Sequence, residues 1–421
     1  MKNLIPPVKG ARDFYPEEKA IHGWLYQKLK NVSASFGYQE YDGPFLERID
    51  LYAAKSGEEL VKEQAFVLQD RGGDLLALRP ELTPSLARMV AQRQNQLVYP
   101  LRWWSFGPFW RYERPQKGRS REFFQWNIDM IGVDSPEADA ELIAVCVAFL
   151  RSAGLSSDQV VLRVNDRKLM DSELNVIGIS GEQKKAAFKL IDRSDKLPQK
   201  EWEAFAGELD FTTQQISGIQ AILNDTTLWK KSPSLVRVFD SLKALRADDF
   251  VRFDAHIIRG LDYYTGTVFE ASDLDGGRAI LGGGHYDNLV EDVGGDPLPG
   301  VGFAMGDVMI TIVLEKYGLL PEPKSFPRAG LMTVFDENAM QDALRLSANV
   351  RDAGIEMVCY PAVAKLQKQF KYADRIGVRF VLVQGPDEKA EGKVSVKDLA
   401  NATQQTVTEA ELIGFLQQLL K

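Results

Sequence analysis

The 421-residue sequence predicts an α+β fold: an antiparallel sheet flanked by helices, a helical insertion within that core, and a small C-terminal α/β domain. Short strand-like runs separated by glycine and proline turns occupy much of 38–132 and 251–315. Residues from about 166 to 246 are instead charged and helix-favouring. After the prolines at 321–327, strand-like and helix-like segments alternate, which indicates a partly parallel sheet. The expected bounds are 1–165 and 247–322 for the core, 166–246 for the insertion, and 328–421 for the last domain.

The first part of the core begins with a helix, a strand and a hairpin. Residues 17–36 place apolar side chains at helical spacing, and 38–46 is a strand-like run that closes at Gly43-Pro44. The runs 64–68 and 75–78 flank a turn-forming Arg-Gly-Gly-Asp sequence. Two strand-like runs around such a turn predict a β-hairpin.

Two further predicted helices begin with the same pair of residue types, an N-cap residue followed by proline. Thr83-Pro84 and Ser135-Pro136 each combine an N-cap residue with a proline suited to the first helical position. We therefore expect Thr83 and Ser135 to cap helices that end near residues 94 and 154.

Composition limits the classes of function. The net charge of −8 argues against nucleic-acid binding driven by overall charge, while leaving room for a local basic face. Two separated cysteines and three scattered histidines argue against a disulfide scaffold and against a zinc site. The N-terminal residues lack the apolar stretch of a signal peptide, and no apolar run of about 18 residues predicts a transmembrane helix. We therefore expect a cytoplasmic protein without zinc and without membrane attachment.

The segment 102–132 carries the first chemical pattern. Two strand-like runs flank a basic turn at 114–119, and side chains of two kinds alternate along the returning strand. Its apolar face consists of Phe124, Trp126, Ile128 and Met130. Its other face consists of Arg121, Phe123, Gln125, Asn127 and Asp129. Because unpaired buried polar groups are costly, this second face is either a solvated sheet surface or a floor of ligand-binding side chains.

The segment 259–270, RGLDYYTGTVFE, carries the second pattern. Two glycines and a following β-branched run predict a loop that leads into a strand. Arg259 offers a planar fork of donors for a phosphate or a carboxylate, and Tyr263 and Tyr264 offer flat walls with hydroxyl tips. The alternative is a buried, aromatic-rich start of a strand that binds no ligand.

Both patterns resemble signatures of the histidyl-tRNA synthetases, a class II family of aminoacyl-tRNA synthetases. FWRYERPQKGRSREFFQ at 109–125 resembles motif 2 of that class, and LRPELT at 78–83 resembles an element of the histidine-specific group. RGLDYYTG at 259–266 and LGGGHYDNL at 281–289 resemble the two histidine-specific signatures. The first helix and strand, as far as Pro44, resemble motif 1, which builds the dimer interface in that class.

The resemblance implies a fold, a reaction and partners. The fold is a class II synthetase core with a C-terminal anticodon-binding domain, which KVSVKDL at 393–399 resembles. The reaction is ATP-dependent ligation of L-histidine to its tRNA through a histidyl-adenylate, with Mg²⁺ accompanying ATP. The expected partners are histidine tRNA, L-histidine, ATP and a second copy of the chain. Four basic residues at helical spacing, Lys365, Lys368, Lys371 and Arg375, favour RNA contact only weakly, because such runs are commonly solvated faces.

The resemblance also implies roles for individual residues. Arg111 and Arg259 are the implied catalytic residues, which flank the α-phosphate of ATP and the carboxylate of histidine. The residues implied to bind ATP are Arg111, Glu113, Arg119, Arg121 and Phe123. The residues implied to bind histidine are Glu81, Thr83, Arg111, Gln125, Asp129, Arg259, Tyr263 and Tyr264.

Two positions depart from the family pattern. Motif 3 of the class carries an arginine where this sequence has Met309, and the glycine-rich signature continues with arginine where it has His285, to which we assign no role. Met309 supports a rival interpretation, a catalytically silent paralogue such as the regulatory subunit of ATP phosphoribosyltransferase. The RGLDYYTG signature and the C-terminal domain argue against that rival. A third interpretation is another class II synthetase, for threonine, proline or glycine. A threonine enzyme would need Cys and His zinc ligands, which this sequence lacks.

Overall fold

The computed structural model describes residues 5–55, 64–114, 116, 118–258, 264–288, 290–322 and 329–421. These residues form two compact units, a larger one built on Trp24–Leu320 and a smaller one built on Pro321–Lys421 together with Phe14–Gly23. The four domain bounds expected from the sequence are finer than this division and remain predictions.

Strands and helices before residue 321 follow the order expected from the sequence. The described strands are β1 (Gln39–Glu40), β2 (Leu46–Arg48), β3 (Phe66–Gln69), β4 (Leu75–Leu78), β5 (Leu101–Trp110), β6 (Glu122–Ile131), β7 (Val160–Asp166), β8 (Val251–Phe253), β9 (Thr267–Asp273), β10 (Leu281–Tyr286) and β11 (Gly300–Gly306). The described α-helices are α1 (Pro16–Ser35), α2 (Ile49–Lys55), α3 (Thr83–Arg93), α4 (Pro136–Ser152), α5 (Arg167–Val176), α6 (Gln183–Asp192), α7 (Gln199–Glu208), α8 (Thr213–Asn224), α9 (Pro233–Ala244) and α10 (Asp307–Lys316).

The main sheet of the larger unit has eight described strands in the order β1-β5-β6-β11-β10-β9-β7-β8. Neighbouring strands from β5 to β7 are antiparallel, whereas the two edge pairs, β1 with β5 and β7 with β8, are parallel. The predicted antiparallel core is therefore confirmed, with one parallel strand added at each edge. This order sets β6, the strand with alternating side chains, in the interior of the sheet beside β11.

The strand predicted at 38–46 is wrong in its extent. Gln39–Glu40 pairs with the main sheet, and the chain joins a ladder again at Leu46–Arg48, in a separate sheet of order β2-β4-β3. Proline has no N–H to donate to a ladder, so Pro44 separates the two strands and the chain changes sheets there. The hairpin predicted from the runs at 64–68 and 75–78 is confirmed as β3 and β4.

The apolar face of β6 packs against the core. Trp126 is fully buried, and its ring centre lies 5.4 Å from that of Phe149 on α4 and 4.9 Å from that of Phe303 on β11. The helix α4 begins as predicted, because the Ser135 hydroxyl oxygen accepts a hydrogen bond from the Ala138 N–H at 3.2 Å. The polar face of β6 consequently points away from α4.

The other predicted N-cap is wrong by one residue. Helix α3 begins at Thr83 itself, and Leu82 precedes it without a side-chain cap. Pro84 therefore stands second in the helix, where its missing N–H again leaves no intrahelical bond unmade. Thr83 lies half-buried in the first turn instead of in front of it.

One aspartate, Asp166, contacts both the first and the last helix of the helical insertion. Helices α5 to α9 lie between β7 and β8, as the fold class predicts. Asp166, the last residue of β7, caps α5 by accepting from the Lys168 N–H at 2.8 Å. The same carboxylate accepts from the Ser232 hydroxyl at 3.0 Å, and Ser232 caps α9. The first and last helices of the insertion are thereby tied together.

The smaller unit contains the predicted α/β domain. Its described elements are the strands β12 (Gly330–Met332), β13 (Met357–Cys359), β14 (Phe380–Val383), β15 (Lys393–Asp398) and β16 (Thr403–Thr408) and the helices α11 (Met340–Asp352), α12 (Leu366–Ile376), α13 (Pro386–Ala390) and α14 (Leu412–Leu419). The sheet order is β13-β12-β14-β15-β16, parallel over the first three strands and antiparallel over the rest. The partly parallel sheet is therefore confirmed.

Within the described ranges, no helix combines the length and the apolar character that a membrane-crossing helix requires.

Candidate active site

A cavity of about 160 Å³ opens beside the start of β6, between the loop that follows β5 and the start of α10. It is lined by Arg111, Glu113, Gly118, Arg119, Ser120, Phe123, Gly306, Val308 and Met309. Four of the five residues predicted to bind ATP are therefore brought together, and Arg121 is the exception.

Arg111 is oriented by the segment that precedes α3. Its Nε donates to the Pro80 carbonyl at 2.9 Å, and its guanidinium carbon lies 5.4 Å from the centre of the Phe123 ring. The Phe123 ring stacks on that of Phe109 in the opposing strand, with 6.0 Å between the centres. A guanidinium fixed beside an aromatic ring can hold a phosphate next to a planar base.

Glu113 and Arg119 face each other across the loop. Arg119 Nη1 lies 3.1 Å from the Glu113 carboxylate. Backbone hydrogen bonds in both directions link Gln116 with Arg119. Because the Arg119 side chain is half-exposed, solvent screens this ion pair and its contribution is about 1 kcal/mol or less, so a charged occupant of the cavity can displace it at little cost.

Arg121 does not line the cavity. Its Nε donates to the Glu113 carbonyl at 3.2 Å, and its guanidinium carbon lies 4.0 Å from the centre of the Tyr112 ring. Its aliphatic chain packs on Gly10, where an added methyl group would lie 2.8 Å from Arg121 Cγ. A phosphate contact from Arg121 therefore stays a prediction that this arrangement does not support directly.

Asp129 is buried on the polar face of β6. The Tyr286 hydroxyl of β10 donates to its Oδ1 at 2.8 Å. Burial raises the pKa of Asp129 to about 7, and the hydrogen bond from Tyr286 opposes that rise in part. A carboxyl group that changes charge near neutral pH is well matched to an imidazole ring, which titrates in the same range.

Two glycines of β11 make room for the Asp129–Tyr286 pair. Gly302 lies opposite Asp129 in the ladder between β6 and β11, and a methyl group at Gly302 would overlap the Asp129 carboxylate. A methyl group at Gly300 would lie 2.7 Å from the Tyr286 ring. The site therefore needs both of these positions free of side chains.

We expect Gly302→Ala to lower the free energy of unfolding by about 1–3 kcal/mol, because the added methyl group forces the Asp129 carboxylate to move. Guanidinium-induced unfolding measures this difference. Gly306→Ala, at the end of the same strand, is the control for stability, since a methyl group there would meet nothing within 4 Å. Equal stabilities for the two variants would contradict the crowding at Gly302.

The three residues predicted to accept hydrogen bonds from the ammonium group of histidine lie in two regions, at the start of α3 and on β6. Glu81 is buried just before α3, and Thr83 is half-buried in its first turn. Gln125 is half-buried on β6, on the same face as the buried aspartate, because residues at even spacing share one face of a strand. The hydrogen bond from Arg111, in the loop between β5 and β6, to Pro80 ties that loop to the segment before α3.

Tyr264 is the one predicted ligand in the second signature that the structure describes. It is buried, and Gly284 of β10 makes room for it, since a methyl group at Gly284 would lie 2.8 Å from Tyr264 Cδ1. Arg259 and Tyr263 lie outside the described residues. Their predicted roles accordingly remain predictions.

The sequence patterns did not reveal the part played by Asp307, the first residue of α10. Its carboxylate accepts from the Phe124 N–H at 2.9 Å and pairs with Arg12 at 2.8 Å. Burial raises the pKa of Asp307, and the Arg12 guanidinium opposes that rise. Asp307 thus joins α10 to the start of β6, so that Met309 reaches the cavity. The available signal was the Gly-Asp-Val sequence at 306–308.

His285 is buried and paired with acids. Its Nδ1 lies 2.9 Å from Asp139 on α4, and its Nε2 lies 3.3 Å from Asp287. Burial alone would lower the pKa of His285, but the nearby carboxylates of Asp139, Asp134 and Asp287 raise it above its ordinary value. These contacts join β10 to α4, so the role that the structure supports for His285 is structural.

Metal-ligating side chains are dispersed. Cys146 is buried and Cys359 half-buried, and both are free thiols. In the part of the chain that the structure describes, no three His, Cys, Asp or Glu side chains are grouped so as to hold a metal ion.

Known proteins are similar to this chain over nearly its whole length. The family model described as Histidyl-tRNA synthetase matches residues 10–308, and the model described as Anticodon binding domain matches residues 307–419. The histidine–tRNA ligase of Leptospira biflexa is 34% identical, over 96% of this chain and 95% of the relative. That of Opitutus terrae is 36% identical, over 96% of each chain. The crystal structure of histidyl-tRNA synthetase from Nostoc sp. aligns with a TM-score of 0.85 at 25% identity, over 99% of this chain and 100% of that chain.

Proposed function

The chain belongs to the histidyl-tRNA synthetase family, whose activity is ligation of histidine to tRNA, and we propose that it works through a histidyl-adenylate made from L-histidine and ATP. The observation that carries this mechanism is the cavity at the start of β6, which four predicted ATP ligands line. The buried carboxyl group of Asp129 lies farther along the same strand. One strand would thus serve both substrates.

The first step would join two anions. A carboxylate oxygen of histidine attacks the α-phosphorus of ATP, a new P–O bond forms, and pyrophosphate leaves with the electrons of the broken bond. Fixed positive charge must hold the two reactants in line. We assign Arg111 and Arg259 to this task. Arg111 is assigned because the Pro80 carbonyl fixes its guanidinium, and Arg259 because its segment resembles the family signature. Mg²⁺ would enter with ATP and neutralise part of the phosphate charge.

The remaining contacts to ATP would come from the loop after β5. Phe123 offers a ring for adenine to stack on, and Glu113 offers a carboxylate to the adenine amino group. Arg119 would turn from Glu113 to the β- and γ-phosphates, exchanging a weak, partly exposed ion pair for contacts to a multiply charged anion. Arg121 would have to leave its contacts with Glu113 and Tyr112 to join it.

Histidine would bind above the polar face of β6. Its ammonium group needs acceptors, which Glu81, Thr83 and Gln125 supply. Its ring N–H would donate to Asp129, and Tyr264, with Tyr263, would meet the other ring nitrogen. A pocket built on such hydrogen bonds rejects amino acids that leave its polar groups unpaired.

The second step would transfer the histidyl group to the terminal ribose of histidine tRNA. We propose that residues 328–421 bind the anticodon region, that 1–165 and 247–322 form the catalytic core, and that 166–246 is an insertion. The supports are the anticodon-binding family match and the helices of the insertion. A homodimer is proposed from the resemblance of the first helix and strand to motif 1. A cytoplasmic location without membrane attachment is proposed from the family match.

Histidine-dependent ATP–pyrophosphate exchange with the purified protein tests the proposal. Exchange with histidine, and with none of the other amino acids in a panel, is the expected result. Folded protein without any exchange would overturn the adenylate mechanism and revive the silent paralogue. The family matches do not favour that rival, because they cover both the catalytic and the anticodon-binding regions.

A further inference from the structure

Arg278 lies between β9 and β10 and carries an unmatched donor. The side chain is half-buried, and its Nη1 atom is buried without a hydrogen-bond partner among the residues that the structure describes. Buried donors in native proteins are nearly always satisfied, by protein, by water or by a ligand. A guanidinium with such an unsatisfied buried donor is therefore a candidate to bind an anion.

The position of Arg278 brings it to the edge of the proposed ATP site. Arg278 and Met309 line one cavity of about 400 Å³, and Met309 also lines the 160 Å³ cavity. A methyl group at Gly118, in the loop after β5, would lie 2.5 Å from Met309 Sδ and 3.7 Å from Arg278 Cδ. Arg278 therefore approaches the loop that carries Arg119, from the side of Met309.

Other charged groups nearby already have partners or proposed roles. Arg119 is paired with Glu113, and Arg111, whose Nε ties it to the Pro80 carbonyl, is assigned to the α-phosphate. The two acids that precede Arg278, Asp273 and Asp275, both bind Lys316 at 2.7 Å. That shared lysine leaves the positive charge of Arg278 available for a ligand.

We propose that Arg278 binds the terminal phosphates of ATP and so supplies the positive charge that Met309 does not. The inference rests on the proposed function of the site. A guanidinium presents parallel N–H donors to two phosphate oxygens, and such charge-assisted pairs are among the strongest hydrogen bonds in proteins. The β- and γ-phosphates extend beyond the nucleoside, so contacts at the rim of the cavity reach them first.

Arg278→Gln tests this role, because it keeps a polar side chain of similar length and removes the charge. The KM for ATP in pyrophosphate exchange should rise roughly tenfold or more, while the KM for histidine stays unchanged. Calorimetry should show weaker binding of ATP and unchanged binding of AMP, which lacks the terminal phosphates. Arg278→Lys should recover part of the ATP affinity. Arg252→Gln is the matched control, since Arg252 is exposed on the edge strand β8 and donates to backbone carbonyls.

The outcomes separate this inference from the proposed function. A KM for ATP within twofold of that of the wild type would overturn the role of Arg278. Equal weakening of ATP and AMP would also overturn it, because the residue would then act on the shape of the cavity. If the wild type shows no exchange, but Arg278→Gln weakens binding of ATP and not of AMP, the phosphate contact stands and the adenylate mechanism falls. Thermal unfolding of each variant excludes loss of the fold.

Discussion

Arg111→Gln is expected to lower the rate of histidine-dependent exchange about 10²–10³-fold, the usual effect of removing one preorganised donor at a reacting centre. The hydrogen bond from Nε to the Pro80 carbonyl holds the guanidinium, and its terminal nitrogens have no partner among the described residues. They are therefore available to the charge that develops on the α-phosphate. Glutamine preserves the polar character of the position without that charge.

Arg111→Lys is the matched variant, because it keeps the charge and loses the planar fork. An intermediate rate is expected, since a point charge cannot hold two oxygens at once. Thermal unfolding should be nearly the same for all three proteins, because Arg111 is half-buried and makes one hydrogen bond to the protein through its side chain. An exchange rate within about threefold of wild type in Arg111→Gln would remove Arg111 from the reacting centre.

Features with a short sequence period were predictable. The alternation along β6 predicted one apolar and one polar face, and the structure buries Trp126 on the first and Asp129 on the second. The family resemblance implies that Glu113, Arg119 and Phe123 bind one ligand, and these residues do line one cavity. Local pattern suffices for β6 because alternate residues of one strand share one face.

Features that depend on the register between distant strands were not predictable. The overlap of any side chain at Gly302 with Asp129 follows from the pairing of β6 with β11, which no local pattern states. The approach of Arg278 to Met309 depends on where the connection from β9 to β10 lies relative to α10. Even the predicted start of α3 differs from the observed start at Thr83 by one residue, because proline is tolerated at either of the first two helical positions.

Asp129→Ala is expected to raise the KM for histidine about 10- to 100-fold and to leave the KM for ATP unchanged. The substitution removes a charged acceptor and leaves the Tyr286 hydroxyl without that partner, and each such loss costs on the order of 1–3 kcal/mol. The proposed ATP cavity is lined by other residues. Exchange kinetics with each substrate varied in turn measures both constants. An unchanged KM for histidine would assign the imidazole partner to another residue.

Asp129→Asn separates binding from folding. Burial raises the pKa of Asp129 from its ordinary value near 4 to about 7, so the folded protein binds this proton more tightly than the unfolded chain. The carboxyl group therefore lowers the free energy of unfolding as the pH rises between those two values, and its ionised form stays destabilising above them. At pH 8 the asparagine variant should unfold no more readily than wild type, although its affinity for histidine falls. Clear destabilisation at pH 8 would show that Asp129 is needed for folding itself.

The pH dependence of histidine binding gives the sharpest test of Asp129. In the wild type, the KM for histidine should rise as the pH falls below about 7, because the protonated carboxyl group no longer accepts the ring N–H as a carboxylate. The imidazole of free histidine also titrates near pH 6.5. In Asp129→Asn only the substrate changes charge, so the difference between the wild-type and Asp129→Asn profiles of KM against pH isolates the effect of the carboxyl group. Tyr286→Phe removes a hydrogen bond that lowers the pKa of Asp129, and its profile should shift to higher pH. Parallel profiles for the wild type and Asp129→Asn would mean that the carboxyl group does not contact the imidazole.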